Sequence, residues 1–266
     1  MNRNRSDDQP AALQLKPTTT PGGEVRENGN GGWIFSIPAG EKGRYRLAQL
    51  DDYGAHPRRD FPWEAPLHLR LQARASSPDI PGTWGFGLWN NPFGMAIFTG
   101  TEVLRLPTLP NAAWFFFASP PNYLSLRDDL PAQGSLAAAF RSLRLPGVLL
   151  ALGAPALPLL ALPPAARLLR RLARRIVRQS AALMKHEVTA WHAYSLVWEH
   201  DRVVHAVDEE TVCDTPWAPL GPLGFVLWID NQYAALPPSG RPGMGTLANP
   251  ELAWIEIEGL TVTRGE

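Results

Sequence analysis

The segment Leu67-His68-Leu69-Arg70-Leu71-Gln72-Ala73-Arg74 alternates apolar and polar residues without a break. A period of two can bury one face only as a β-strand, because successive side chains point to opposite sides. The same kind of short run recurs along the chain. Trp33 to Ile37, Trp84 to Trp89, Ala112 to Ala118, Trp191 to Trp198, Arg202 to Val207, Phe225 to Gln232 and Trp254 to Val262 all read as strands. The 23 glycines and 27 prolines supply the turns between them. Many short strands at close spacing predict an all-β sandwich or barrel. Ala112 to Ala118 is apolar at every position, which predicts a central strand covered on both faces, or one bordering an aromatic cleft.

One stretch breaks the pattern. Residues 145–166 carry no charge and are long enough to span a bilayer. Pro146, Pro155, Pro158, Pro163 and Pro164 interrupt them, so a straight spanning helix is not expected. A buried irregular segment or a shallow membrane-dipping loop remains. A helix is predicted to start at Pro163-Pro164 and run over about residues 164–184. Leu168, Leu169, Leu172, Ala173, Ile176 and Val177 share one face of it; Arg167, Arg170, Arg171, Arg174, Arg175 and Arg178 share the other.

The net charge of zero hides an imbalance around that helix. No acid occurs between Asp129 and Glu187, whereas eight arginines and Lys185 do. The resulting organisation is a flexible polar segment at 1–30, then one β domain at 31–266. The Pro-rich apolar and basic helical insertion interrupts that domain at about 143–186. Met1 to Lys16 has no apolar run after its charges and does not read as a secretory signal, so a cytoplasmic location is the expectation. The single Cys213 excludes a disulfide framework within the chain and a cysteine-rich zinc module.

The stretch Trp191-His192-Ala193-Tyr194-Ser195-Leu196-Val197-Trp198, followed by Arg202 to Asp208, resembles a pattern of glycoside hydrolase family 16. There an aromatic residue, His, any residue, Tyr, three residues and Trp precede an aliphatic strand ending in Val-Asp-Gly. Here Glu209 stands at the glycine, and His205 where an aromatic is usual. Gly82-Thr83-Trp84-Gly85-Phe86-Gly87-Leu88-Trp89 is similar to the family's tryptophan strand, and Ala253 to Ile257 to its final strand. The resemblance covers about half the chain in patches. It implies a concanavalin A-like jelly roll whose concave sheet holds a sugar cleft. It also implies a Glu-x-Asp-x-(x)-Glu catalytic strand, yet the corresponding place reads Ala113-Trp114-Phe115-Phe116-Phe117-Ala118. No acid occurs from Val103 to Arg127, so the two carboxylates a retaining glycosidase requires are not found there.

The ligand-binding candidates are Trp84, Trp89, Asn90, Trp228, Asp230 and Gln232. On a single strand Trp228, Asp230 and Gln232 would share a face. A ring that stacks on a pyranose beside groups that bond its hydroxyls suits sugar binding. The alternatives are an exposed polar face, or a buried polar network fixing the strand. Gly85 and Gly87 leave room beside Trp84 and Trp89 for a ligand or for another backbone; core packing is the competing reading for both tryptophans. Trp114 and Tyr123 could line the same cleft. No catalytic residue is assigned, Asp230 being the first acid to test. Glu256 and Glu258 form an i, i+2 pair that reads better as a solvated strand face.

No metal or cofactor is expected. His186, Glu187 and His192 lack zinc-protease spacing, and Gly243-Met244-Gly245-Thr246 follows no strand, as a dinucleotide fingerprint must. Three functions fit. The first is non-hydrolytic recognition of a carbohydrate or related polyhydroxylated ligand. The second is a glycosidase with a non-standard carboxylate arrangement. The third is a peripheral membrane or interaction protein that meets an anionic surface through Arg167, Arg170, Arg171, Arg174, Arg175 and Arg178. Nucleic acid fits least, since no stacking aromatic is interleaved with the arginines. For the helix, packing of the leucine face on the sandwich is the first reading and membrane association the second.

Overall fold

The computed structural model describes residues 13–93 and 105–265. Sixteen strands are found among them, and fourteen form two antiparallel sheets of seven. Sheet A has the order β1 (Lys16–Thr19), β4 (Leu47–Asp51), β13 (Gly224–Asp230), β6 (Thr83–Trp89), β7 (Ala112–Ala118), β8 (Gly134–Ser142), β9 (Val177–Leu183). Sheet B has the order β12 (Glu210–Thr215), β11 (Val203–Val207), β10 (His192–Trp198), β5 (Leu67–Ala75), β16 (Ala253–Arg264), β3 (Trp33–Ile37), β2 (Glu24–Glu27). A small ladder, β14 (Gln232–Ala235) with β15 (Gly243–Thr246), stands apart. The chain passes between the sheets after β1, β3, β4, β5, β9 and β12, and again between β13 and β16 by way of the small ladder, so neighbours in sequence are often in opposite layers. This is an all-β jelly-roll sandwich with one helical insertion, as the strand pattern predicts.

The core lies between the sheets. In β5, Leu67, Leu69, Leu71 and Ala73 are buried and the residues between them are not, which realises the alternation read in the sequence. They meet Trp84, Phe86 and Leu88 of β6 and Phe115 and Phe117 of β7. The ring of Trp84 stacks on Phe117 at 3.5 Å. The other face of sheet A is also apolar: Trp114, Phe116 and Trp228 lie there with Ala138 and Phe140. Strand β7 is therefore covered on both sides.

Three expectations need correction. Strands β1 and β2 fall within the segment expected to be flexible over 1–30; residues 1–12 of it lie outside the described residues. They form because each pairs with a strand of the sandwich, β1 with β4 and β2 with β3. The helix over 164–184 is shorter: α2 spans Pro163–Ile176, and Val177–Leu183 is strand β9. Val177 is β-branched and already extended, and from there Val177, Gln179 and Ala181 alternate with more exposed neighbours. Pairing with β8 over seven residues decides the outcome.

The third correction concerns the insertion's apolar residues, expected to pack. Ahead of α2 run a short helix α1 (Gly147–Ala151) and a 3₁₀ segment (Ala154–Ala161). Val148, Leu149, Leu152, Leu159 and Leu162 are exposed there. In α2 the buried residues are Ala166 and Arg170, whereas Leu168 is 52% and Leu172 48% exposed. The helix docks by the edge of its arginine face. Arg170, only 5% exposed, donates to the carbonyls of Ser125 and Leu236, pairs with Asp128 and lies 5.3 Å from the Tyr123 ring centroid.

Candidate functional site

Strands β13, β6 and β7 are adjacent, and their registers bring three indoles together on the outer face of sheet A. Trp228 pairs with Gly85, and Gly87 pairs with Trp114. Trp89 and Trp228 lie parallel with centroids 6.5 Å apart; Trp114 is 5.8 Å from Trp228 and 5.9 Å from Trp89. A Cβ on Gly85 would stand 2.4 Å from the Phe115 carbonyl oxygen and 2.9 Å from the Trp228 ring. The room at Gly85 is thus used by the protein's own backbone and indole. Trp228 is 8% exposed, while Trp89 and Trp114 are half-buried.

Asp230 ends the same strand and is buried. Thr83 Oγ1 donates to its Oδ1 at 2.7 Å, and Trp228 Nε1 donates to Thr83 Oγ1 at 3.0 Å. The Gln232 N–H and the Tyr45 hydroxyl also reach the carboxylate, at 3.2 and 3.4 Å. Burial pushes the Asp230 carboxyl up to about 7 despite these donors. Burial, and then the charge of Asp230, raises the Tyr45 phenol. The result is a relay from the Trp228 indole through Thr83 to a carboxyl that titrates near neutrality.

A second acid, Asp51, lies on this face at the far end of β4. Asp230 pairs with Leu47 and Asp51 with Val226, four residues along the ladder. At about 3.4 Å per residue along the strands and about 5 Å between them, their Cα atoms are about 14 Å apart. Glycosidase carboxyl pairs stand about 5–9.5 Å apart. Asp51 is moreover engaged by Gln49 Nε2 at 2.8 Å and the Gly54 N–H at 2.6 Å. Beside Trp114, Phe116, Phe140 and Gln179 a cavity of about 20 Å³ remains, room for about one water molecule.

The six sequence candidates therefore separate. Trp89, Trp228 and Asp230 come together, with Trp114 added. Trp84 faces the core instead, because five residues along a strand from Trp89 is an odd step that reverses the side. Asn90 is spent on a loop: its Oδ1 accepts from the Asn111 N–H at 3.0 Å and its Nδ2 donates to the Leu109 carbonyl at 2.8 Å. Gln232 is not on the strand of Trp228 and Asp230. That strand ends at Asp230, and Gln232 opens β14. Tyr123 lies against Arg170. Glu256 pairs with Arg74 at 2.7 Å, and Glu258 accepts from Asn28 Nδ2 at 2.8 Å, so both belong to ties across sheet B. Thr83 and Tyr45 were missed, since nothing local marks a threonine or tyrosine that meets an acid about 150 or more residues away in sequence. Among the described residues no three of His, Cys, Asp or Glu gather as a metal site.

The fold and this face define a jelly-roll module with a tryptophan cluster on one sheet. No protein-family model matches the chain, and no curated protein does. Solved structures with similar folds include a legume lectin-like domain from Entamoeba histolytica, 7% identical, covering 95% of this chain and 90% of that one, with a TM-score of 0.47. LamAcat from Zobellia galactanivorans is 10% identical, covering 96% of this chain and 93% of that one, also at 0.47. A sialidase is 9% identical over 95% of this chain at a TM-score of 0.43, and the chain spans only 17% of its length. The assignment of a jelly roll rests on the sheet order above.

Proposed function

We propose that this chain is a non-hydrolytic recognition module that takes a carbohydrate or related polyhydroxylated ligand on the outer face of sheet A. The reading is carried by the half-buried rings of Trp89 and Trp114, held in place by Trp228 beneath them. Such rings can stack on the apolar face of a sugar while remaining fixed by their neighbours. Asp230 serves the reading as a support: through Thr83 it fixes the Trp228 indole. The separation of Asp51 from Asp230, and the bonds each already makes, weigh against hydrolysis by that pair.

The test is a glycan-array screen of wild type and Trp114→Ala, with folding of both checked by circular dichroism. Binding that weakens about 3- to 10-fold in the variant is expected, the worth of one aromatic contact. Absence of binding to every glycan, or binding that ignores the substitution, would overturn the proposal.

A further inference from the structure

We infer that the helical insertion is a docking surface for an anionic lipid bilayer, which α2 meets with its axis in the plane of the headgroups. The inference stands on residues separate from the tryptophan face. Its first observation is the inverted seating of α2. An amphipathic helix on a soluble domain ordinarily buries its apolar arc. Here Arg170 and Ala166 are buried, and the arc made by Leu168, Leu169, Leu172 and Ile176 faces solvent. Spacings of three and four put these four side chains side by side. The hydrogen bonds of Arg170 to two loop carbonyls hold the helix in this orientation.

The second observation is the apolar chain just ahead of α2. Val148, Leu149, Leu152, Leu159 and Leu162 are exposed in the turns leading into α2. Prolines keep this stretch in short pieces, so its leucines cannot gather into a core of their own. No helix among the described residues is long and apolar enough to cross a membrane. An exposed apolar surface without a spanning helix suits lying on a bilayer, with leucines at the acyl boundary.

Charge selects the occupant. Arg167, Arg171, Arg174 and Arg175 are exposed along one flank of the apolar arc, and no acid occurs between Asp129 and Glu187. Apolar side chains rimmed by arginines complement a layer with phosphate headgroups above an acyl interior. A symmetric pairing with a second copy through this face would instead set the arginine flank of one chain near that of the other.

The test is sedimentation of the full chain with phosphatidylcholine vesicles, with and without phosphatidylglycerol, alongside light scattering of the free protein. Two double variants are compared with wild type: Leu168→Ser/Leu172→Ser and Arg171→Gln/Arg175→Gln. All four residues are exposed, so both variants should fold, which circular dichroism checks. Wild type should sediment with the anionic vesicles and not the neutral ones. The arginine variant should bind about 25-fold more weakly, at about five-fold per arginine. The leucine variant should bind about 10-fold more weakly or worse. No binding to anionic vesicles, equal binding to neutral ones, or binding that survives both variants would overturn the inference. So would a dimer that the leucine variant dissolves in a protein that ignores vesicles, which would assign the face to a second copy.

Discussion

Replacing His205 by phenylalanine should remove a pH dependence of stability that one buried ring creates. His205 is fully buried on β11, edge-on to Phe115 with centroids 5.2 Å apart. Backbone groups of Cys213 and Ala138 come near the ring, yet neither nitrogen has a hydrogen-bond partner of proper geometry. Burial lowers its pKa from 6.5 to about 4. The unfolded chain therefore takes up a proton at higher pH than the folded one, and stability falls as pH drops from 6.5 to about 4. At 1.36 kcal/mol per pH unit the full loss is about 3 kcal/mol, of which about 2.5 kcal/mol has accrued at pH 4.5. The phenylalanine variant lacks this term. At pH 7.5 its stability should be within about 2 kcal/mol of wild type, because losing two unsatisfied nitrogens offsets the strain of a larger ring. The assay is urea unfolding followed by tryptophan fluorescence from pH 7.5 to 4. Carboxyls that titrate in the same range are common to both proteins and cancel in the difference. A difference between the variants that stays constant over this range would refute the reasoning, since it would mean that the ring is solvated or protonated in the folded state.

Three further substitutions probe the site and the insertion. Asp230→Asn should stabilise the protein more at pH 8 than at pH 5: the folded carboxyl is raised from 3.8 to about 7, so its ionisation removes stability as pH rises through that window. Thermal unfolding at the two pH values checks this, and an equal shift at both would refute it. Arg170→Met should cost about 2–3 kcal/mol by leaving the Ser125 and Leu236 carbonyls without their donor, whereas Leu168→Ser should change stability by about 0.5 kcal/mol or less. Urea midpoints would show the order, and a larger loss from the leucine change would overturn the docking described for α2.

The strands that could be read from the sequence share a physical property: each buries one face, or both, by local alternation. Strand β5 is the clear case, and β10 and β11 follow it with buried Tyr194, Leu196 and Trp198 opposite Val203, His205 and Val207. Strands β1 and β2 carry no such pattern, because edge strands of Lys, Thr, Glu and Arg are held by backbone pairing and expose most side chains. The geometry of the candidate face was legible in the same measure. Trp228 and Asp230 share a face by simple parity, and that face was found. Gln232 obeys the same parity and failed, because parity holds only while the strand continues, and the ladder with β4 and β6 stops at Asp230. Trp84 and Trp89 break the parity rule between themselves, which the sequence already contained.

The insertion shows a different limit. The periodicity of α2 sorted its leucines from its arginines correctly, but sorting does not say which arc meets the protein. The usual inference gives the apolar arc to the core because water is the only alternative environment. Here the contest is decided by loops at Ser125 and Leu236 that present carbonyls needing a donor, and by Asp128 and Tyr123 beside them. One arginine satisfies all of these at once, and a leucine could satisfy none. The seating of α2 thus follows from polar groups that lie 42 to 66 residues away in sequence, and the exposed leucines are its consequence. A surface of that kind persists at a cost in hydration unless something apolar covers it, and that is the physical reason to look for a bilayer.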